Sequence, residues 1–274
     1  MSFDPAAFDA FEEAGWASKE ASAYDMLAGR VTSRLADPLL DAVAGGDGTR
    51  LADVATGPGY VAARAVARGC RVTGVDLSEA MLEFARARVT GAEFVRGDAT
   101  ALPFDDSSFD ALTAAFVLLH LGAPERAAAE AARVLASGGA AAFTVWDVPA
   151  RGRWLGVLLD AVADVGAQPP ADVPPGPPLF RFAEDIEFTR LLATAGLADV
   201  SVETIDFTLR LETADELWDG LVEGTVRVRP LVAAQTEETQ RAIRERFEEL
   251  LEEHRDGEGF DVPVAVKLAS GRKP

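Results

Sequence analysis

The residues with the clearest chemical potential follow a short apolar run. Residues 51–55 read Leu-Ala-Asp-Val-Ala, and the chain continues through a loop of Thr56, Gly57, Pro58 and Gly59 into a helical pattern. Gly57 and Gly59 have no Cβ, so the backbone there can lie directly against a ligand. An ordinary tight turn between a strand and a helix has the same pattern. The loop therefore indicates a ligand site and leaves the ligand open.

Two acidic residues follow the next two apolar runs. Asp76 ends the run 71–75, and Asp98 follows the run 93–96. A carboxylate in the first position can accept hydrogen bonds from both ribose hydroxyls, and one in the second can accept from an adenine amino group. Asp76 also fits a plain turn before Ser78, which has the N-cap position of the next helix. Because the carboxyl ends of parallel strands form one crevice, we expect the loop and both carboxylates to meet.

The elements that must position these groups alternate between strand and helix patterns. Five apolar runs are separated by stretches of helical periodicity; they span residues 51–55, 71–75, 93–96, 111–118 and 140–146. This alternation predicts right-handed crossovers and a mainly parallel sheet. Helices are predicted within residues 1–45. Two further strands are predicted at 200–211 and 262–268, and capping residues at Thr213 and Thr236 predict a helical cap between them, at about 213–257.

Composition excludes several classes of partner. The 274 residues include 45 Asp and Glu against 26 Lys and Arg, a net charge of −19 that would repel a nucleic-acid backbone. No apolar run approaches the roughly 18 residues of a spanning helix, and residues 1–13 lack the basic residues of a secretory signal, so no membrane contact and a cytoplasmic location are expected. With one cysteine and no Cys/His cluster, we expect no disulfide and no metal. Nearly all positive charge is arginine, which is typical of a GC-rich bacterium.

In order and spacing, these blocks resemble the class I S-adenosylmethionine-dependent methyltransferases. The resemblance covers about residues 50–146; it is carried by Asp53-Val-Ala-Thr-Gly-Pro-Gly59, Gly74-Val-Asp-Leu-Ser-Glu-Ala-Met-Leu82, Gly97-Asp98-Ala99, Leu102-Pro-Phe104, Phe109-Asp-Ala-Leu112 and Arg133-Val-Leu-Ala-Ser-Gly-Gly139. The segment Phe11-Glu-Glu-Ala-Gly-Trp16 and the final strand after a helical insertion are similar to the branch that methylates small molecules.

The resemblance implies a Rossmann-like α/β fold. Its seven-stranded mixed sheet would have the order 3-2-1-4-5-7-6 with strand 7 antiparallel, together with N-terminal helices and a C-terminal helical cap. We expect a single domain over residues 1–274, with a helical lid at 1–45, a cofactor-binding core at 46–148 and a C-terminal part at 149–274. The implied partner is a small-molecule acceptor, and the chain would be a monomer or a homodimer.

The resemblance also assigns a cofactor, S-adenosylmethionine, with S-adenosylhomocysteine as the product. The methionine part is expected to contact the loop of Ala55, Thr56, Gly57, Pro58 and Gly59, and the ribose to contact Asp76. The adenine is expected to lie against Leu77 and Met81, with its amino group at Asp98, beside Gly97, and its ring edge at Ala99. Phe116 is expected to lie beneath the cofactor. Ala55 stands where the family has its first loop glycine, which leaves slightly less room.

Candidate catalytic and acceptor residues surround the predicted mouth of the sheet. His120 follows the fourth strand, and an imidazole that titrates near neutral pH suits a general base; a structural or cofactor-packing role fits equally. Trp146 and Asp147 end the fifth strand and are predicted to line the acceptor pocket, although Asp147 also reads as a solvated loop carboxylate. Trp16 and Tyr24 are predicted to close over the cofactor, with core packing as the alternative.

The sequence is also compatible with two other functions. Residues 57–62 also satisfy the GxGxxA form of a dinucleotide site, with Asp76 as the ribose carboxylate of an NAD-dependent oxidoreductase. Neither tyrosine, Tyr24 or Tyr60, has the lysine four residues away that short-chain dehydrogenase chemistry needs. The second alternative is a protein or cyclase that binds the cofactor without methyl transfer. His254, in the charged tail of the last long helix, is interpreted as a surface residue.

Overall fold

In a computed structural model, which describes residues 3–17, 24, 26–170 and 173–274, helices flank a mixed sheet. Part of the predicted lid, residues 18–23 and 25, lies outside the described residues. The strands are β1 Arg50–Val54, β2 Arg71–Asp76, β3 Ala92–Arg96, β4 Phe109–Ala115, β5 Leu135–Trp146, β6 Ala198–Leu211, β7 Arg255–Asp256 and β8 Gly259–Arg272.

The sheet has the order β3-β2-β1-β4-β5-β8-β6, and β7 pairs with β8 beside it. The first five strands are all parallel to one another, whereas β8 is antiparallel to both β5 and β6. The α/β fold and the strand order implied by the family resemblance are confirmed. The difference is one added strand, because the two residues of β7 fold back on the start of β8.

Ten helices are described. They are α1 Pro5–Ala17, α2 Ala28–Ala42, α3 Tyr60–Ala67, α4 Glu79–Arg88, α5 Pro124–Val134, α6 Arg153–Val165, α7 Asp185–Thr194, α8 Ala214–Gly224, α9 Arg229–Ala233 and α10 Glu237–Leu251. The predicted caps form: Ser78, Thr213 and Thr236 each accept a backbone N–H three residues on. Of the helices in the described part of the chain, none has the length and apolarity needed to cross a membrane.

β5 begins earlier than the apolar run predicted. The run covers residues 140–146 and follows Gly138 and Gly139, but the strand begins at Leu135. Gly138, at φ +78°, and the shifted register against β4 absorb the irregularity. The end of β8 reinforces it, since Gly138 N–H donates to the Lys273 carbonyl and Lys273 N–H donates to the Gly139 carbonyl.

Two apolar clusters, one on each side of the sheet, hold the helices in place. One contains Leu35, Val61, Leu158 and Phe247, which come from α2, α3, α6 and α10. The other contains Ala128 of α5 and Phe188 of α7. The helical cap predicted at about 213–257 therefore packs on the same side as α2 and α6. This placement brings the segment after α8 to the carboxyl ends of the strands.

Candidate functional site

A cavity of about 490 Å³ lies where β1 to β4 end. Its floor includes Ala55 after β1, Asp76 at the end of β2, Gly97 after β3 and Ala115 at the end of β4. The carboxyl ends of parallel strands all point to the same edge, which is why residues distant in sequence meet here. Helix α1 and the segment after α8 form the opposite wall.

The glycine loop has an unusual backbone that opens it toward the cavity. Ala55, Gly57 and Gly59 all have positive φ, at +54°, +52° and +84°. A Cβ built at Gly57, which lines the cavity, meets no atom within 4 Å and would take up ligand space. A Cβ at Gly59 would instead lie 3.1 Å from Val89 Cγ2, so this glycine allows α4 to pack against the loop.

Asp53 supports the loop from below. Its Oδ2 accepts from Thr56 Oγ1 at 2.6 Å, and its Oδ1 accepts from Thr113 Oγ1 at 3.0 Å. The side chain is fully buried, and this burial raises the pKa of Asp53 from 3.8 to about 6 against the opposing effect of the two hydroxyls. Thr56 is therefore turned to Asp53 and does not line the cavity.

Asp76 joins the loop to the next helix while lining the cavity. Its Oδ2 accepts from Gly57 N–H at 2.8 Å, and its Oδ1 accepts from Ser78 N–H at 2.9 Å. Burial raises the pKa of Asp76, and the backbone donors oppose that rise. Asp98 lines the same cavity and accepts from Thr100 N–H at 2.7 Å and from Thr100 Oγ1 at 2.9 Å.

Apolar residues complete the half of the cavity near these carboxylates. Leu77, Met81 and Ala99 line it; Met81 is buried and Leu77 is 40% exposed. Phe116 has φ +58°, a strained conformation for a bulky residue. Its ring stacks on Trp146 with the centroids 3.6 Å apart, and Trp146 contacts Trp154 at 4.7 Å.

The other half of the cavity contains a buried acid and a histidine. Glu12 of α1 is 3% exposed, and its Oε2 lies 3.0 Å from His120 Nδ1. Trp16 Nε1–H donates to the same oxygen at 3.1 Å, and the Trp16 ring meets the His120 ring edge-on at 5.1 Å. Tyr24 packs against Trp16 with the centroids 6.1 Å apart.

Arg227, in the segment after α8, connects three segments in the half of the cavity that contains Glu12 and His120. Its Nη1 donates to the Leu119 carbonyl at 2.9 Å and its Nη2 donates to the Pro177 carbonyl at 2.7 Å. Its Nε lies 3.9 Å from Glu12 Oε1. Burial lowers the pKa of the guanidinium, and the nearby Glu12 carboxylate opposes that fall.

Comparison with known proteins decides the family. A family model described as a methyltransferase domain matches residues 52–143. The chain is 32% identical over 190 residues to the demethylmenaquinone methyltransferase of Renibacterium salmoninarum, covering 66% of this chain and 80% of that protein. This chain belongs to the class I S-adenosylmethionine-dependent methyltransferases.

Two further likenesses of this methyltransferase differ in extent. It is 43% identical over 111 residues to the demethylmenaquinone methyltransferase of Clavibacter sepedonicus, which is 39% of this chain and 45% of that protein. The chain thus spans less than half the length of that relative. The crystal structure of the YcgJ protein from Bacillus subtilis matches with a TM-score of 0.57 and 18% identity, over 88% of this chain and 98% of that chain. At that identity the likeness shows the fold.

The residues of the methyltransferase fit the family's cofactor. The space that a Cβ at Gly57 would fill is open, and two carboxylates line the same cavity. Most of the residues predicted from the sequence line it as well: Ala55, Pro58, Leu77, Met81, Gly97, Ala99, Phe116, His120, Trp16, Tyr24 and Trp146. Thr56 and Gly59 do not line the cavity: Thr56 donates a hydrogen bond to Asp53, and Gly59 packs against α4.

Asp147 does not reach the cavity of the methyltransferase. It is 4% exposed, its Oδ1 accepts from Val148 N–H at 2.7 Å, and its Oδ2 lies 3.5 Å from Arg151 Nε. Of the two residues at the end of β5 that were predicted to line an acceptor pocket, only Trp146 lines the cavity. His254, expected at the surface, is half-buried, and burial lowers its pKa.

Sequence reasoning assigned no role to Glu12 or Arg227. The only signal for Glu12 was its spacing of four residues from Trp16 inside a segment quoted for the family resemblance. No pattern singled out Arg227, because its partners Leu119 and Pro177 lie 108 and 50 residues away in sequence.

Proposed function

We propose that this methyltransferase transfers a methyl group from S-adenosylmethionine to an oxygen, nitrogen or carbon atom of a small, largely apolar aromatic acceptor. The observation that carries the proposal is one continuous cavity. It joins the carboxylates at the strand ends to a chamber walled by Trp16, Trp146 and Trp154. Aromatic walls favour a flat apolar ligand, and the few polar groups would fix its orientation.

The strand ends would hold the cofactor. Asp76 would accept from the ribose hydroxyls, Asp98 from the adenine amino group, and the backbone at Gly57 would lie against the methionine part. Leu77 and Met81 would cover the adenine ring. The bound cofactor supplies a methyl group already activated by a positively charged sulfur, so the protein has mainly to orient the acceptor and exclude water.

His120 is the proposed general base for an acceptor that has a proton to lose. It lines the same cavity as the cofactor residues and ends the short 3₁₀ turn Leu118–His120 that follows β4. Relatives of this chain are named demethylmenaquinone methyltransferases. That name favours a hydroxylated, quinone-like ring as the acceptor class, which is consistent with the aromatic walls.

Titration calorimetry with S-adenosylmethionine, S-adenosylhomocysteine and NAD tests the cofactor. We expect both sulfur nucleosides to bind and Asp76→Asn to weaken them by about 10- to 100-fold, since it removes charged hydrogen-bond acceptors. Asp105→Asn is the control, because Asp105 is exposed and away from the cavity. Preferential binding of NAD would refute the proposal and favour the oxidoreductase.

Mass spectrometry of products from a panel of phenols, quinols and amines tests the transfer. We expect a methylated quinol or phenol, and His120→Ala should lower turnover far more than cofactor affinity. Tight cofactor binding with no methylated product across the panel would instead identify a binding protein or a cyclase.

A further inference from the structure

Glu12 is a buried carboxylate of helix α1 that lines the cavity on the side opposite the strand ends. One of its oxygens, Oε2, receives Trp16 Nε1–H and lies within hydrogen-bond distance of His120 Nδ1. The other, Oε1, is buried without a hydrogen-bond partner and faces Arg227 Nε across 3.9 Å. Burying the Glu12 carboxylate destabilises the folded protein unless neighbouring groups compensate its charge. A functional role for Glu12 would explain why it is buried here.

The contact with Glu12 decides which nitrogen of His120 holds the proton. A carboxylate only accepts hydrogen bonds, so Nδ1 at 3.0 Å from Glu12 Oε2 must be the protonated nitrogen of the neutral ring. Nε2 then has a free lone pair. The His120 ring lines the cavity, where that lone pair can meet an acceptor.

We propose that Glu12 is the positioning residue for His120 in the methyl transfer proposed above, fixing the Nδ1–H tautomer and stabilising the imidazolium that forms when Nε2 takes a proton. The inference rests on that proposed function. In the step, the acceptor's O–H bond breaks and its electron pair stays on the oxygen. The Nε2 lone pair forms the new N–H bond, and the imidazolium later returns the proton to solvent. The same geometry in other enzymes orients and stabilises a catalytic imidazole.

Arg227 keeps the cluster balanced without competing for His120. Its two terminal nitrogens are held by the carbonyls of Leu119 and Pro177, so the guanidinium is fixed on the Oε1 side of Glu12. The Arg227 charge offsets the Glu12 charge when His120 is neutral. When His120 takes up a proton, its positive charge lies 3.0 Å from Glu12 Oε2, and the attraction between the two charges stabilises the imidazolium.

Other charged groups of α1 are engaged elsewhere. Asp9 Oδ1 accepts from Gly122 N–H at 2.6 Å, and Glu13 Oε1 lies 3.7 Å from Arg96 Nη2. Within the described residues, Glu12 is the carboxylate with an ion-pair contact to His120. The cluster therefore suits an acceptor that must lose a proton, such as a phenol or quinol, whereas an amine with a free lone pair needs no such help.

The first test reads the tautomer of His120 by ¹⁵N NMR in the full chain without cofactor. The sequence has two histidines, and His254 serves as an internal reference. We expect neutral His120 to carry its proton on Nδ1 in the wild type, and Glu12→Gln to shift it to a mixed or Nε2–H form while His254 signals stay unchanged. A wild-type His120 that is mainly Nε2–H, or a tautomer unaffected by Glu12→Gln, would overturn the inference. Unchanged His254 signals also show that the variant is folded.

The second test separates positioning from cofactor binding. Glu12→Gln should lower kcat by about 10²- to 10⁴-fold with a much smaller change in KM, because the imidazolium that forms in the step loses its partner. Affinity for S-adenosylmethionine in calorimetry should stay within about twofold. The control is Glu125→Gln, a half-exposed carboxylate paired with Arg181 and away from the cavity.

The outcomes distinguish the two proposals. If the wild type does not bind S-adenosylmethionine, the proposed function fails while the tautomer measurement still reports on Glu12. If Glu12→Gln changes the tautomer but leaves kcat as in the wild type, the positioning role is overturned and the proposed function stands.

Discussion

The buried carboxyl group of Asp53, beneath the glycine loop, should make the stability of the protein depend on pH. Burial raises the pKa of Asp53 from 3.8 to about 6, so the folded protein holds this proton more tightly than the unfolded chain does. The stability gained from that proton is fully present below pH 3.8 and is lost as pH rises through 6.

Replacing Asp53 with a residue that does not titrate should remove this dependence. Between pH 5 and pH 7 the free energy of unfolding of the wild type should fall by about 1 kcal/mol relative to Asp53→Asn. Urea unfolding of both proteins at each pH measures the difference. Asp105→Asn, at an exposed position, is the control. Its free energy of unfolding should differ from that of the wild type by the same amount at each pH. If the difference between the wild type and Asp53→Asn is the same at pH 5 and pH 7, burial does not raise the pKa of Asp53.

Ala55 stores strain at the loop, because it holds φ +54° where an L-residue is disfavoured. Ala55→Gly should raise the free energy of unfolding by about 0.5–1 kcal/mol, since the relief of left-handed strain exceeds the added entropy of the unfolded chain. Ala63→Gly, inside α3, should lower it by about 1 kcal/mol. Thermal and urea unfolding compare the two, and equal losses in both variants would contradict the strain at Ala55.

At the scale of elements, the helix α1 is docked by close backbone contacts. A Cβ at Gly122 would lie 2.6 Å from the Pro5 carbonyl oxygen, and Gly122 N–H donates to Asp9. A side chain at Gly122 would therefore push the start of α1 away from the 3₁₀ turn that ends at His120. Glu12 reaches His120 only when α1 is in this position.

Gly122→Ala should undock α1 without unfolding the sheet. We expect faster amide hydrogen exchange across residues 5–17, lower turnover, and little change in exchange from the central strands. Gly46→Ala is the matched control, because a Cβ there meets no atom within 4 Å. Unchanged protection of α1 in Gly122→Ala would mean that the helix accommodates the methyl group and is held elsewhere.

At the scale of the whole molecule, repulsion between carboxylates lowers the stability of the folded protein, since the net charge is −19. Several arginines of the protein form ion pairs at exposed positions, such as Arg50 with Asp110 and Arg151 with Asp206. Exposed pairs contribute little each, whereas the surplus of carboxylates repels itself over the whole surface.

Salt should therefore stabilise this protein. Raising NaCl from about 0.01 M to about 1 M shortens the screening length from about 30 Å to about 3 Å, and we expect the midpoint of thermal unfolding to rise by a few degrees. Choline chloride should have the same effect if screening is the cause. A midpoint that falls with salt would indicate that the ion pairs outweigh the repulsion.

The sequence by itself determined a mainly parallel sheet whose edge brings the glycine loop, Asp76 and Asp98 together, and its resemblance to the family implied the strand order. Gly57, Asp76 and Asp98 each follow a short apolar run, and the topology of parallel strands requires such positions to share one edge. The neighbours that matter are local or come from an adjacent strand, so periodicity and spacing carry the information.

Only the tertiary structure decided the half of the cavity that contains Glu12 and His120. Glu12 and His120 are 108 residues apart, and their contact depends on how α1 docks on the turn after β4. Asp147 and Trp146 are adjacent in sequence, yet only Trp146 lines the cavity, because the chain turns at the end of β5 and buries the carboxylate against its own backbone. Packing between distant segments sets these contacts, and no local pattern records it.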